Sequence, residues 1–179
     1  STRGYVATSL ADIARASDIF NAGLLHHYSS KDQLLAAVLD ERDRRTMSRL
    51  PDGDKGTEAA LDAWVEMVAH NQRHPDGVAL YTAMSAAVID ASHQAYPWFR
   101  QHLMAAIEYL VDTLERGKAT GEFHPDAPSE QIARKLVALS DGLQVQWLCS
   151  RADGGRDVDM RAVTAGVVSD IKDRWLIRS

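Results

Sequence analysis

Residues 4–39 read GYVATSLADIARASDIFNAGLLHHYSSKDQLLAAVL, and they predict two short helices, a tight turn and the start of a longer helix. The first helix begins near Ser9, whose hydroxyl can accept a backbone N–H one turn ahead while Asp12 reaches back in a capping box. Ser17 and Asp18 end it, because an Asp side chain can bond its own backbone in a turn. This order predicts a helix-turn-helix, whose second helix enters the DNA major groove.

The second short helix, over residues 20–28, divides into an inner and an outer face. Leu24 and Tyr28 lie four residues apart and form the inner face. The outer face carries Asn21, Ala22, Leu25 and His26, with His27 at its edge. Adjacent residues on a helix point about 100° apart, so the two histidines cannot easily share a metal ion. The pattern favours DNA-facing or structural roles and predicts no metal site.

At these residues the chain resembles the tetracycline-repressor-like (TetR) family of bacterial transcriptional regulators. The resemblance rests on Gly4-Tyr5, Thr8-Ser9, Asp12-Ile13-Ala14, Leu24, His27-Tyr28 and Ser30-Lys31. It implies a ligand-responsive regulator of the repressor type, which binds a double-stranded, pseudo-palindromic DNA operator as a homodimer. It also implies a helix before Gly4, and we expect that first helix to be absent from this sequence.

The resemblance assigns DNA-contacting roles residue by residue. Asn21 and His26 are expected to read base edges, and four polar residues are expected to hold phosphates. The full predicted set is Thr8, Ser9, Asn21, Ala22, Leu25, His26, His27 and Lys31. Phe20 and Leu25 stand where the family commonly has polar phosphate-contacting residues, and they offer apolar contacts to thymine methyl groups instead.

The composition favours an all-α protein of two parts. Of 179 residues, 45% are apolar, and the five prolines and eleven glycines lie between apolar-periodic runs rather than within them. The polar turn at residues 51–56 predicts a boundary between a DNA-binding domain at 1–50 and a larger helical ligand-binding and dimerisation domain at 51–179. Helices are predicted at about 31–49, 57–74, 78–91, 97–120, 129–150 and 158–177.

Charge and motifs exclude several classes of protein. The net charge is −5, but residues 1–50 carry seven basic and six acidic side chains against thirteen and nineteen in the remainder, so the acidity belongs to the second part. Cys149 is the single cysteine, which fits a reducing cytoplasm. No apolar run approaches the ~20 residues that span a membrane. Catalytic motifs and phosphate-binding glycine loops are missing, which predicts no enzyme activity and no cofactor.

The last two predicted helices carry broad apolar stripes. Their pattern fits either packing inside one protomer or a four-helix bundle between two protomers, and the resemblance favours the dimer. The predicted interface is Leu139, Gly142, Leu143, Val163, Gly166, Val167 and Ile171.

Aromatic residues and methionines are concentrated in the second domain. Such residues at helical spacing are more often core than ligand site, but they also suit an apolar cavity with a few polar anchors. The predicted lining is Trp64, Met67, Asn71, Tyr81, Met84, His102, Tyr109, Gln144 and Trp147. The effector would be a small hydrophobic or amphipathic compound.

Two further interpretations concern the charged run at residues 40–45 and the function of the chain. The mixed charges of residues 40–45 are expected to form a solvated helix face with i,i+4 ion pairs. An alternative function is an all-α enzyme or small-molecule carrier with a vestigial helix-turn-helix, motivated by the weak basic charge and the apolar residues at 20 and 25.

Overall fold

The described part of the molecule is entirely helical. The computed structural model describes residues 31–51, 55–85, 90–92, 96–152 and 158–177, with side chains from residue 37 onward. Its helices are α1 (Lys31–Met47), α2 (Thr57–Gln72), α3 (Pro75–Ser85), α4 (Tyr96–Thr120), α5 (Ser129–Ala152) and α6 (Met160–Trp175). The predicted all-α class is confirmed.

Most helix ends fall within two residues of their predicted positions, and α3 is the exception. The sequence predicts this helix at 78–91, with Pro75 in the break before it, but the helix begins at Pro75 and ends at Ser85. Proline is accommodated in a first helical turn, because its missing N–H would have no partner within the helix there. Ala91, the predicted end, lies in a turn.

A large hydrophobic core, the main core, is built from α2, α4, α5 and α6. Leu61, Leu110, Leu114 and Leu136 are completely buried there, and Trp147 is 1% exposed. Burying such a side chain contributes about 1.5–3 kcal/mol relative to leaving it exposed. Leu50 also belongs to this core. The domain boundary at 50/51 remains a prediction.

The segment after α4 ties the beginning of α2 to the end of α6. Glu122 Oε2 accepts the backbone N–H of Thr57 at 2.9 Å, which satisfies a donor at the start of α2. Phe123 pairs with Leu176 in an isolated bridge, and the N–H of Ile177 donates to the Glu122 carbonyl at 2.8 Å. One short loop thus holds two helix ends that are far apart in sequence.

α4 approaches the start of α2 closely at Gly117. Thr57 Oγ1 donates to the Thr113 carbonyl at 3.3 Å. A Cβ placed on Gly117 would lie 2.1 Å from Thr57 Oγ1. Only glycine fits this contact without movement of α2. None of the helices within the described ranges is both long and apolar enough to cross a membrane.

Candidate functional site

A second, smaller hydrophobic cluster joins α1 to α3 and α4. Its buried members are Val38, Leu39, Tyr81, Met84 and Phe99, and Leu80 and Trp98 pack against them. We call it the α1 cluster. It matters because α1 is the helix that directly follows the predicted helix-turn-helix.

Aromatic rings make up much of the α1 cluster. Trp98 stacks on the His102 ring with centroids 5.1 Å apart and planes 11° from parallel. Tyr81 contacts Phe99 at 5.1 Å and meets His102 edge-on at 5.2 Å. Such pairs stabilise beyond their buried area and fix ring orientation. The rings of Tyr81, Trp98, Phe99 and His102 form a continuous surface between α3 and α4, which we call the aromatic wall.

Two consecutive residues of α1 reach into this wall. The Arg42 guanidinium carbon lies 4.6 Å from the centre of the Tyr81 ring, a distance within the range of cation–π attraction. Asp43 Oδ2 lies 2.8 Å from His102 Nδ1. Tyr81 in turn donates its hydroxyl to Asp141 Oδ1 at 3.1 Å, which extends the network to α5.

Burial shifts the protonation of this network. It raises the pKa of Tyr81 well above its ordinary value, and the carboxylate of Asp141 acts in the same direction. Burial also raises the pKa of Asp141, and this rise is opposed by the hydrogen bond from the Tyr81 hydroxyl and by the charge of Arg42. The pKa of Arg42 is lowered by burial. These directions describe a poorly hydrated site in which charges interact strongly.

Three buried side-chain oxygens on α1, α3 and α5 have no hydrogen-bond partner among the described residues. They are Asp43 Oδ1, Thr82 Oγ1 and Gln144 Oε1. Gln144 lies one turn beyond Ser140, which accepts the indole N–H of Trp64, and three residues beyond Asp141. All three oxygens can accept a hydrogen bond, and a buried acceptor without one is costly. The arrangement can therefore receive donor groups.

The structure divides the predicted ligand residues between two places. Trp64, Met67 and Trp147 belong to the main core, as the alternative core interpretation had it. Tyr81 and Met84 belong to the α1 cluster, with His102 against it. The Tyr109 hydroxyl donates to the Pro51 carbonyl, Asn71 is half-buried and Gln144 is buried. The nine residues thus fall in or beside two hydrophobic clusters, and their ligand-binding role remains a prediction.

The charged run of α1 corrects one prediction. Glu41 does pair with Arg44 and Arg45 on an exposed face. Arg42 and Asp43, however, turn inward, so the interpretation of the whole run as a solvated face was wrong. They lie four residues after buried Val38 and Leu39, and residues four apart share one side of a helix. That spacing was the available sequence signal.

The predicted interface residues on α5 and α6 also differ in accessibility. Leu143 is 3% exposed and is packed in the main core, so its side chain is not available to a partner. Leu139, Val167 and Ile171 are half-buried against that core. Val163 is 44% exposed, and Val145 is 47% exposed. Val145 was not among the predicted interface residues. A Cβ placed on Gly142 or Gly166 would meet no heavy atom within 4 Å beyond its own stretch of helix.

The predicted DNA-contacting residues from Thr8 to His27 lie outside the described residues. Lys31 is the first residue of α1, but its side chain is not among those described. The DNA-binding assignments therefore remain predictions.

Comparison with known proteins addresses that N-terminal part. The profile of bacterial regulatory proteins of the tetR family matches residues 1–38. The A-factor receptor protein of Streptomyces griseus is 25% identical over 170 residues, which cover 90% of this chain and 54% of that protein. The chain thus spans about half the length of this relative.

Two further relatives cover more of their own length. The transcriptional repressor KstR2 of Mycobacterium tuberculosis is 26% identical over 152 residues, 81% of this chain and 73% of the repressor. The solved structure of this ketosteroid transcriptional regulator has a TM-score of 0.58 over 98% of this chain and 88% of that one, at 20% identity. A TetR regulator from Haloarcula marismortui has a TM-score of 0.74 at 22% identity, covering 98% and 91%.

The N-terminal match and the shared helical fold agree with each other, and the proteins matched are regulators rather than enzymes. The chain is thus similar to TetR-family regulators in its N-terminal sequence, over residues 1–38, and in its helical fold.

Proposed function

We propose that the protein is a homodimeric, cytoplasmic repressor that binds a pseudo-palindromic DNA operator and responds to a small hydrophobic or amphipathic effector. The match of residues 1–38 to the tetR-family profile carries the DNA-binding half of this proposal. The α1 cluster, which connects the helix after that match to the larger domain, carries the effector half.

DNA recognition is assigned to the second short helix. In this proposal Asn21 and His26 read base edges, while Thr8, Ser9, His27 and Lys31 contact phosphates, and Ala22 and Leu25 face the groove. Selection of bound sequences from random duplex DNA would identify the operator.

Two variants then separate base reading from phosphate contact. Lys31→Ala should weaken binding to all sequences about equally and reduce the salt slope by ~1. Asn21→Ala should instead relax preference at one base position, at a cost of ~1–3 kcal/mol for the cognate base. A uniform loss with unchanged preference in the Asn21 variant would contradict its base-reading role.

The effector site is placed beside the α1 cluster. The supporting features are the aromatic wall of Tyr81, Trp98 and Phe99 and the unpartnered acceptors Asp43 Oδ1 and Gln144 Oε1. Flat apolar molecules pack on aromatic side chains, and a hydroxyl or amine on such a molecule would supply the donors that these oxygens lack. The relative KstR2 is a ketosteroid regulator, and ketosteroids are flat, apolar molecules of this kind.

Coupling to DNA would run through α1. An effector that competes with Asp43 for His102, or with Arg42 for the Tyr81 ring, changes how α1 is held against the larger domain. Two recognition helices must fit major grooves one turn apart, ~34–36 Å. A shift of α1 of a few ångströms in each protomer would therefore change DNA affinity, and by linkage DNA would change effector affinity equally.

A thermal-shift screen of flat apolar compounds with and without a hydroxyl or amine tests the effector site. A ligand at a hundredfold excess over its Kd should stabilise the fold by ~2.7 kcal/mol. The compound should also change operator affinity, and Gln144→Leu should weaken the donor-bearing compound more than its donor-free analogue. Equal weakening of both compounds would contradict the role of Gln144.

The dimer is assigned to the exposed faces of α5 and α6. The supporting features are exposed Val145 and Val163 and the open space at Gly142 and Gly166, which lets a partner helix approach closely. Val163→Glu would bury an unpaired charge in such an interface and should dissociate it. Met104→Glu is the matched control, since Met104 is 38% exposed on α4. Light scattering at micromolar protein concentration measures the oligomeric state of the parent and of both variants. A monomeric parent protein would contradict the proposed interface.

A further inference from the structure

A cleft of about 350 Å³ lies where the ends of α2 and α5 meet the beginning of α6. Its lining includes three arginines from three segments, Arg73, Arg151 and Arg161, together with Gln72 and Asp159. We call it the arginine cleft. Arg151 is ten residues beyond Asp141 on α5, about 15 Å along the helix at ~1.5 Å per residue. The cleft is therefore separate from the α1 cluster.

One of the three arginines is already neutralised. Arg161 Nη2 and Nε both donate to Glu66 Oε1, at 2.7 and 3.2 Å. The acidic Asp159 is also engaged, because its carboxylate accepts the N–H of Ala162 at 3.0 Å and caps α6. Glu66 is thus paired with Arg161, and Asp159 keeps its negative charge in the lining while one of its oxygens caps α6.

Arg73 and Arg151 have no carboxylate partner within the ranges that the structure describes. Arg151 is held over the Trp147 ring, 5.0 Å from its centre, which orients a guanidinium without neutralising it. The neighbourhood is positive on the α2 side as well. Burial, followed by the charges of Arg49, His74 and Arg73, lowers the pKa of His70 to about 4.

Gln72 supplies a donor between these charges. Its Oε1 accepts the backbone N–H of Arg161 at 3.3 Å. With the amide in this orientation, its NH₂ group remains as a donor. Two guanidiniums and one amide NH₂ outnumber the single unpaired carboxylate of the lining, Asp159, and such an excess of donors is the chemistry that binds oxyanions.

We propose that the arginine cleft is a second ligand site, which binds a compact oxyanion of two or more negative charges between Arg73 and Arg151. Each planar guanidinium donates to a pair of phosphoryl or carboxylate oxygens, and the Gln72 amide completes the contact. The volume is at the lower end of small-molecule sites, so the anion is small. A bound anion would link the ends of α2 and α5. The arginine cleft could bind an anion whether or not the proposed effector site and DNA binding are correct.

Calorimetric titration of the whole chain with pyrophosphate and with citrate, in chloride buffer at neutral pH, tests the proposal. We expect saturable binding of at least one of them, with one anion per protomer. The double variant Arg73→Ala/Arg151→Ala should weaken it by roughly a hundredfold, since each of the two lost charge-assisted pairs is worth about a factor of ten. Arg100→Ala/Arg116→Ala is the matched control, because it removes two exposed arginines of α4 and the same net charge.

The outcomes separate a built site from general charge attraction. Retained affinity in the control pair, with loss in the cleft pair, supports the proposal. An equal loss in both double variants, or no saturable binding of either anion at millimolar concentration, overturns it. Thermal unfolding of the variants without anion shows that the fold is intact. An NMR shift of the Arg73 and Arg151 Nε–H signals on titration would place the anion directly.

Discussion

The main core and the α1 cluster are both hydrophobic clusters, but they differ in what surrounds them. The main core draws on four helices and is apolar to its centre, with Leu61, Leu110 and Leu136 completely buried. The α1 cluster has five buried members, and its edge is made of ionisable groups from α1, α3, α4 and α5. The cost of a substitution in apolar packing follows the volume that is removed, whereas a buried polar network depends on each hydrogen-bond partner.

This difference suggests a division of labour. In the proposed mechanism the main core holds the larger domain in one shape, while an effector changes the contacts of the α1 cluster. Elements that move in regulated proteins are drawn from their less stable parts. Substitutions in each cluster would show whether the two differ in this way.

The largest effect is expected in the main core. Leu110→Ala should lower the free energy of unfolding by about 2–5 kcal/mol, because it leaves a cavity that the surrounding helices cannot close. Urea unfolding at a fixed protein concentration measures this, since dimerisation makes stability depend on concentration. Met104→Ala on the same helix is the control and should change stability by less than about 0.5 kcal/mol. A small loss for Leu110→Ala would mean that the core tolerates voids.

The sequence alone predicted the fold well, and for a physical reason. Apolar periodicity and the polar turns between helices are local properties, so α2, α4, α5 and α6 could be placed to within about two residues by pattern reasoning. Pro75 misled the prediction of α3, because proline can either end a helix or occupy its first turn, and the local sequence does not distinguish the two.

A second test concerns the glycines of the helices. Gly117→Ala should destabilise the protein by about 1–3 kcal/mol, since the new Cβ would overlap Thr57 Oγ1 and force a shift. Gly142→Ala is the matched helical control. No atom of another helix lies near its Cβ position, so it should gain up to about 1 kcal/mol in the protomer from helix propensity. Denaturation of both variants at low and high protein concentration measures the two effects. A dimer weakened by Gly142→Ala would support close helix approach there, whereas destabilisation of the protomer itself would contradict the open space.

The polar edge of the α1 cluster gives a third, smaller effect. Tyr81→Phe removes the hydrogen bond to Asp141 and leaves a buried carboxyl with one partner fewer, at a cost of about 1–3 kcal/mol. Operator affinity, or its response to effector, should change as well, because Tyr81 also contacts Arg42 of α1. Thr113→Val serves as a comparison in the main core, where a hydroxyl is lost without contact to α1. Equal effects of the two variants on DNA binding would remove the distinction between the clusters.

The candidate site was only partly predictable. Tyr81, Met84 and His102 were identified by residue type, but their partners Arg42, Asp43 and Asp141 were not. Arg42 and Asp43 turn inward because of how α1 packs against α3 and α4, which is a tertiary property. The spacing from buried Val38 and Leu39 was the sequence signal for it. Residue type likewise could not separate Trp64 and Trp147 in the main core from Tyr81 in the α1 cluster, because buried aromatic residues occur in both clusters.

The remaining tests use pH, because the pKa of Asp141 beside the α1 cluster is raised and the pKa of His70 at the end of α2 is lowered. The pKa of Asp141 is raised by burial in the folded protein. Its favourable contribution is therefore complete below its ordinary pKa, and it is lost as pH rises through the raised value. Asp141→Asn should remove that loss and flatten the dependence of the free energy of unfolding on pH above the ordinary pKa of an aspartate. Chemical denaturation of both proteins at several pH values measures the difference, and parallel profiles would contradict a buried, ionising Asp141.

His70, at the end of α2 beside Arg49 and Arg73, should give the opposite slope. Its pKa is lowered to about 4 in the folded protein, by burial first and then by these positive neighbours. Between about pH 6.5 and 4 the unfolded chain binds a proton at His70 that the folded protein does not, so stability falls as pH falls. His70→Asn should remove this dependence and gain a few tenths to about 1 kcal/mol near pH 5, after allowance for solvent screening. Above about pH 7.5 His70 is neutral in both states, and the difference between parent and variant should become constant. A parent profile that is no steeper than that of the variant between these limits would mean that the positive surroundings of His70, and with them part of the support for the arginine cleft, are absent.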